Sequence, residues 1–360
     1  MGTVELGLPS LRRTGAPASD RPADPRLVDR FGRVATDLRV SLTDRCNLRC
    51  SYCMPAEGLD WLPDDRVLTD AEIVRLITVA VEQLGVDEVR FTGGEPLLRR
   101  GLEDIVAATT ALRTATGATP STAVTTNALG LARRARRLAD AGLGRVNVSV
   151  DSLDRERFAR ITHRDRLPDV LAGIEAAAAA GLTPVKLNAV LLRGVNDDEA
   201  VPLLGFALRH GYELRFIEQM PLDPQGAWSR DGMITADEIL ALLSASFTLT
   251  PSDPATRGAA PAQLWTATDG THTGRVGIVA SVTRPFCGDC DRTRLTADGQ
   301  VRNCLFATGE TDLRALLRAG ATDVEIADAW RGDMWAKRAG HGIDDPSFLQ
   351  PARPMSAIGG

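Results

Sequence analysis

Between Asp37 and Met220 the chain alternates short β-branched runs with longer, alanine-rich stretches whose apolar positions recur at helical spacing. The short runs predict six strands: Leu38–Leu42, Glu88–Phe91, Ala123–Thr126, Arg145–Val150, Pro184–Leu191 and Glu213–Glu218. A helix follows each of the later strands, and one lies between the first two. That helix opens at Thr69 with Glu72 three residues on, a capping-box pattern, and Leu76, Val79, Ala80 and Leu84 carry its apolar face until Gly85 stops it. Such alternation predicts a parallel sheet with helices outside it, either a barrel or a doubly wound sheet. No strand runs into a GxGxxG turn that would favour the dinucleotide-binding version.

Polar residues collect where the strands end. Gly93-Gly94-Glu95-Pro96 follows the second strand, Thr125-Thr126-Asn127 ends the third, and Ser149 and Asp151 end the fourth. Lys186 and Asn188 interrupt the fifth, and Gln219-Met220 closes the sixth. Any one of these is ordinary, but five successive polar ends match the catalytic rim of a parallel barrel. Cations also sit inside strands: Arg39, Arg90 and Lys186. A buried cation is costly unless it is paired, so each is either half of an internal ion pair or part of a site. Together with Arg292 and Arg294 they could line a cavity for a polyanion such as a triphosphate. Lysine is otherwise avoided: Lys186 and Lys337 are the only two.

Met1 to about Arg30 is rich in Pro, Arg, Asp and Ala without periodicity and reads as a mobile extension. Thr250 to Pro261, with Pro251, Pro254 and Gly258, reads as a linker. The formal net charge of −5 argues against general nucleic-acid affinity. No apolar run is long enough for a bilayer, and the start lacks a secretory pattern, so the expected location is the cytoplasm.

All six cysteines fall in two compact groups, Cys46/Cys50/Cys53 and Cys287/Cys290/Cys304. Clustered thiols in a reducing compartment suit metal rather than disulfides. Each group is one ligand short of four, which leaves a metal position open to something other than protein. Zinc fits the first group poorly, because none of His163, His210, His272 and His341 has finger spacing to it. At the second group zinc with His272 as fourth ligand stays open.

The Cys46-x-x-x-Cys50-x-x-Cys53 spacing, with Tyr52 before the last cysteine, resembles the radical S-adenosylmethionine superfamily, and Gly93–Pro96 resembles its glycine-rich contact with the cofactor. Cys287-Gly-Asp-Cys290-Asp-Arg292-Thr293-Arg294 and Asn303-Cys304-Leu305-Phe306 are similar to the auxiliary-cluster motif of the GTP 3′,8-cyclase family. Asp44–Asn47, Phe91–Pro96, Asn147–Asp154, Arg215–Glu218 and Gly359-Gly360 match that family too, so the likeness runs from about Phe31 to the end. It implies an α/β fold: a partial (βα)6 TIM-type barrel over residues 31–250, with a C-terminal α+β region over 251–345 that closes one end and carries a second iron–sulfur cluster. It also implies that residues 346–360 form a tail that reaches the active site.

The resemblance further implies two [4Fe–4S] clusters, one on Cys46, Cys50 and Cys53 and the other on Cys287, Cys290 and Cys304. Tyr52, Gly94, Ser149 and Met220 would contact S-adenosylmethionine. Arg39, Arg90, Thr125, Lys186, Arg292, Thr293 and Arg294 would hold GTP, with Arg292 and Arg294 completing the catalytic site. The implied reaction is cyclisation of GTP to (8S)-3′,8-cyclo-7,8-dihydroguanosine 5′-triphosphate, through removal of the C3′ hydrogen by a 5′-deoxyadenosyl radical, as the first step of molybdenum cofactor biosynthesis. It requires a one-electron donor and feeds cyclic pyranopterin monophosphate synthase; a homodimer fits the family. Ala128 departs from the glycine the family commonly has after Thr-Thr-Asn. The rival readings are a peptide-maturing radical enzyme, which generally has more C-terminal cysteines, and a non-catalytic metal module, which leaves the strand-end polar set unexplained.

Overall fold

The computed structural model describes residues 20–253, 255 and 257–359. All six strands expected from the pattern form, each within two residues of the expected bounds: β1 (Asp37–Ser41), β2 (Glu88–Thr92), β3 (Ser121–Thr126), β4 (Arg145–Ser149), β5 (Val185–Val190) and β6 (Glu213–Ile217). They pair in parallel, in chain order. Helix α1 (Asp70–Gln83) carries the capping box expected at Thr69, and Gly85 takes the left-handed conformation just after it. Helices α2 (Leu102–Ala111), α3 (Leu131–Asp140), α4 (Arg155–Thr162), α5 (Leu167–Ala179) and α6 (Ala200–His210) follow in turn, two of them between β4 and β5. The buried faces of these helices meet Leu38, Val40, Val89, Phe91, Val124, Val146 and Leu187 in one core.

The C-terminal half is arranged differently from the expectation of a region closing one end. After α7 (Ala236–Ser244) come strands β7 (Thr248–Pro251), β8 (Gln263–Thr268), β9 (Thr273–Val279), β10 (Arg292–Leu295), β11 (Gln300–Arg302) and β12 (Thr311–Asp312), then helices α8 (Leu313–Arg318), α9 (Asp323–Trp335) and α10 (Met355–Ile358). The sheet order is β12-β11-β10-β1-β2-β3-β4-β5-β6-β9-β8-β7. These strands widen the sheet at both edges, with β10 parallel to β1 and β9 parallel to β6. Eight consecutive parallel strands result, the number in a closed (βα)8 barrel. Among the described residues β9 and β10 do not pair, so the barrel stays open. The stretch read as a linker begins inside β7, where Pro251 sits on the outermost strand and needs no ladder donor on its free side; Pro254 lies outside the described residues.

The expected mobile extension divides. Residues 1–19 lie outside the described residues, whereas 20–30 pack on the body. Leu27 is fully buried and donates its N–H to Leu84, Val28 bridges to Val34, and Arg21 pairs with Asp328 of α9. Composition hid this, because two apolar side chains suffice to anchor a polar segment. We expect Leu27→Ala to cost about 2–5 kcal/mol, as for other buried leucines, read as a lower urea midpoint. An unchanged midpoint would mean that this segment is not part of the core.

Candidate active site

Alternate residues of the parallel strands face inward and line one cavity. Arg39 comes from β1, Arg90 and Thr92 from β2, Thr125 from β3, Ser149 from β4, Asn188 from β5, Arg215 from β6, and Arg292 and Arg294 from β10. Cys46, Cys50, Cys53, Tyr52, Gly94 and Met220 line the same space. The structure thus gathers the first cysteine group, all four residues expected at the cofactor, and five of the seven expected at the nucleotide. The other two lie elsewhere. Lys186 shares the inward face of β5 but does not line the cavity, and it pairs with Glu213 at 3.4 Å. Thr293 points to the opposite side of β10, where it is fully buried and accepts a hydrogen bond from Trp330 Nε1 at 2.9 Å. The pleat makes this unavoidable: if Arg292 and Arg294 face the cavity, Thr293 cannot.

The first cysteine loop follows β1 and is fixed by backbone contact with Gly93-Gly94. The N–H of Gly94 donates to Thr43 O at 2.7 Å, and that of Glu95 to Arg45 O at 2.8 Å. A side chain at either glycine would run into carbonyl oxygens: that of Thr43 at Gly93, those of Asp44 and Arg45 at Gly94. Glu95, named in the sequence only as part of the Gly93–Pro96 segment, is buried behind them. It accepts from Thr126 Oγ1 (2.7 Å), Asn127 N (2.7 Å) and Leu97 N (2.9 Å), and burial pushes its carboxyl up to about 7. Tyr52 donates to Asp151 at 2.8 Å, which ties the loop to the end of β4. Ala128 adopts φ 63°, the left-handed turn for which the family's glycine is suited.

The thiols of Cys46, Cys50 and Cys53 stand close enough to disfavour one another's charge. Burial chiefly, and then their neighbours, push Cys46 up to about 11 and Cys53 up to about 12, with Cys50 well above its usual value. Bare thiolates are therefore unstable here, which suits a cationic iron–sulfur group that neutralises them. At the second group Cys287 is likewise pushed up, by burial and then by Cys304 and Cys290. Cys290 differs: burial raises it, but Arg292 and Lys337 outweigh burial and hold it at about 7. Among the described residues no three His, Cys, Asp or Glu side chains are grouped to hold a single metal ion. His272, left open above as a zinc ligand, pairs instead with Asp269 in the turn between β8 and β9. Each group therefore offers three thiols and no histidine among the described residues, the donor set of the cluster that the resemblance implies.

The second group stands behind Phe286 and Arg292, which line the cavity, with the Arg292 guanidinium 4.6 Å from the Phe286 ring centre. Its loop is held by two cations that sequence reasoning did not assign. Arg33, paired with Asp29 at 2.6 Å, donates to the carbonyls of Cys287, Arg338 and Ala339. Lys337 donates to Cys290 and Arg292. The rarity of lysine was the only signal in the sequence. The tail enters from the other side. Arg353 pairs with Asp298 at 2.9 Å and Glu310 at 2.6 Å, Met355 and Ser356 line the cavity, and Gly359 O accepts from Arg294. Gly360 lies outside the described residues.

Between the two cysteine groups lies an excess of positive charge. Arg39, Arg90, Arg215, Arg292, Arg294 and Lys186 face the carboxylates of Asp37, Glu88, Glu213 and Asp291. Burial first, then Arg90, holds Arg39 well below its usual range and Arg215 at about 10; burial and Arg292 hold Arg294 at about 10. The buried Nε atoms of Arg39, Arg90, Arg215 and Arg292 have no hydrogen-bond partner among the described residues. Arg39 and Arg90 also pair with Asp37 and Glu88, but six cations share four carboxylates here, and the positive excess with its free donors can receive an anion. Arg215 belongs with the other in-strand cations, a role the sequence reading did not give it.

Residues 40–207 match the Radical SAM superfamily and residues 212–343 match Molybdenum Cofactor Synthesis C. The chain is 61% identical over 366 residues to the GTP 3′,8-cyclase of Mycolicibacterium smegmatis, covering 100% of both. It is also 61% identical over 344 residues to that of Corynebacterium glutamicum, covering 94% of this chain and 91% of the other. Among solved structures, Streptococcus suis SuiB bound to precursor peptide SuiA matches with a TM-score of 0.56 at 15% identity, over 84% of this chain and 67% of that one; the likeness is one of fold.

Gly94→Ala should displace the first cysteine loop through the Asp44 and Arg45 carbonyls. After anaerobic reconstitution we expect bound iron to fall by about half, one cluster of two. Iron equal to that of the unaltered protein would show that the close approach is dispensable.

Proposed function

Because the chain belongs to the GTP 3′,8-cyclase family, we propose that this cavity binds S-adenosylmethionine at its first cysteine group and GTP beside its second, and joins C3′ to C8 of the nucleotide. The product is (8S)-3′,8-cyclo-7,8-dihydroguanosine 5′-triphosphate, made in molybdenum cofactor biosynthesis by a radical S-adenosylmethionine lyase. The observation that carries the assignment is the wall of buried guanidinium groups with unpartnered Nε donors between the two cysteine groups. Such a wall offers several guanidinium groups to the phosphates of one small ligand, and arginine suits bidentate phosphate contacts.

Cys46, Cys50 and Cys53 would hold one [4Fe–4S] cluster, and Cys287, Cys290 and Cys304 the other. When bound, the clusters and S-adenosylmethionine supply the electron transfer and the radical that takes the C3′ hydrogen, chemistry that side chains cannot perform. The chain's own residues bind and orient. Gly94, Ser149, Tyr52 and Met220 border the cofactor's side of the cavity, with Tyr52 fixed by Asp151. Arg39, Arg90, Thr125 and Arg215 border the phosphate side, and Lys186 adds charge one layer below. Arg292 and Arg294 stand on the side of the second cysteine group, Arg294 held by the tail carbonyl of Gly359. The tail and the strand-end loops exclude water, so that each polar contact counts for more than in solvent.

A one-electron donor and a downstream cyclic pyranopterin monophosphate synthase follow from the reaction as partners. A homodimer and a cytoplasmic location rest on the family and the sequence; no helix among the described residues is long and apolar enough to cross a membrane. The fold likeness to SuiB does not favour a peptide substrate, since the cation set suits a nucleotide.

The decisive test is mass spectrometry of an anaerobic reaction of reconstituted protein with S-adenosylmethionine, GTP and a strong reductant. We expect 5′-deoxyadenosine together with a GTP isomer cyclised between C3′ and C8. Deoxyadenosine alone would point to another substrate. Arg292→Ala should lower kcat/KM for GTP by roughly 10- to 100-fold, the worth of about 1.5–3 kcal/mol for hydrogen bonds to a charged group, and leave the first cluster's absorbance intact. Loss of that absorbance would overturn the role given to Arg292.

A further inference from the structure

Lys337 follows the C-terminus of α9 and is 4% exposed, in a chain that otherwise uses arginine for almost every cation. Its ammonium has three donors, and the structure gives it three acceptors: Arg292 O at 2.9 Å, Cys290 O at 3.2 Å and Cys290 Sγ at 3.4 Å. None of these is a carboxylate. The nearest acidic group on its own helix is Asp333, one turn back, where burial chiefly pushes the carboxyl up to about 7, so it offers only a partial negative charge. Arg292, the neighbouring charge on the other side, is also a cation. A compact, strongly hydrated ammonium in such surroundings is costly unless something negative faces it. Of the groups it donates to among the described residues, only the Cys290 sulfur can carry a negative charge.

We propose that Lys337 is the positioning and charge-compensating residue of the second cluster. It locks the Cys290–Arg292 backbone in register with β1 and donates to a ligand sulfur, which raises the cluster's reduction potential. The inference rests on the reading that Cys287, Cys290 and Cys304 hold a cluster. Its physical basis is that hydrogen bonds to ligand sulfurs and nearby positive charge favour the reduced, more negative state. Arginine could not substitute: its planar fork matches flat acceptors, whereas two carbonyls and a sulfur converge here on a single point. The role is that of a positioning residue, since Lys337 does not line the substrate cavity.

The test is an anaerobic redox titration, followed by EPR, of the reconstituted full chain carrying both clusters, compared with Lys337→Leu and Lys337→Gln. Lys337→Leu removes both charge and donors; Lys337→Gln keeps amide donors without charge. In Lys337→Leu we expect the reduction equilibrium of one cluster to shift at least tenfold toward the oxidised form, about 59 mV more negative for one electron. The other cluster should be unmoved. Lys337→Gln should retain iron for both clusters and still show the negative shift. Where Lys337→Leu fails to fold, Lys337→Gln decides. A Gln variant with full iron and both potentials equal to those of the unaltered protein would overturn the proposal. An unaltered protein that binds iron for only one cluster would overturn the cluster assignment and this inference with it.

Discussion

The parallel pairing of β10 with β1 is the contact on which the rest of the molecule depends. Its register sets Asp37 against Arg292 and Arg39 against Arg294, while β1 pairs on its other side with β2 so that Arg39 meets Arg90. Four guanidinium groups from three adjacent strands are thereby forced onto one face. Two like unit charges 4 Å apart repel by about 4 kcal/mol at the effective dielectric of a protein surface, more than an ordinary hydrogen bond returns. Asp37 relieves part of this, held in its charged form by Arg39 and Arg90 despite burial. What remains unrelieved is maintained by the fold until an anion arrives. The same pairing draws Cys290, two residues before Arg292, toward the body of the barrel.

The two cysteine loops are secured with a different emphasis. The first is held by side chains that are missing: Gly93 and Gly94 let two stretches of backbone touch, and the hydrogen bonds that follow are between main-chain atoms. The second lies in a short 3₁₀ turn with its own main-chain bonds, and long cationic side chains add to its hold, Arg33 reaching from ahead of β1 and Lys337 from beyond α9. A loop gripped by backbone is rigid but electrically neutral. A loop gripped by cations is fixed and also sits in a positive field.

Much of this was legible in the sequence, and the limits are physical. The six strands could be read as short β-branched runs, five of them with polar residues at or near the carboxyl end, and α1 because Thr69 and Glu72 state their cap locally. Arg39 and Arg90 stood out as charges among apolar neighbours, Arg292 and Arg294 by standing beside the second cysteine group, and the structure brings all four into one cavity. Arg215 carries the same signal and was passed over. Strands β11 and β12 are three and two residues long, too short for any periodicity to register. Arg33 and Cys287 are 254 residues apart, and Lys337 and Cys290 are 47 apart, distances over which no local pattern speaks. Thr293 was misplaced because a motif is contiguous whereas a strand shows alternate residues to opposite faces.

The two flanks of the sheet also set an order of events on the ribosome. Strands β1 to β6 emerge first and can pair with one another, yet β1 and β6 both lack their outer neighbours until residues 273–295 have been made. The nascent barrel thus presents two raw parallel edges at once, each a template for stray pairing. Late arrival of the flanking strands makes the final closure a contact of high sequence separation, and so a slow one. The arrangement that completes the site last also leaves the growing chain longest in need of protection.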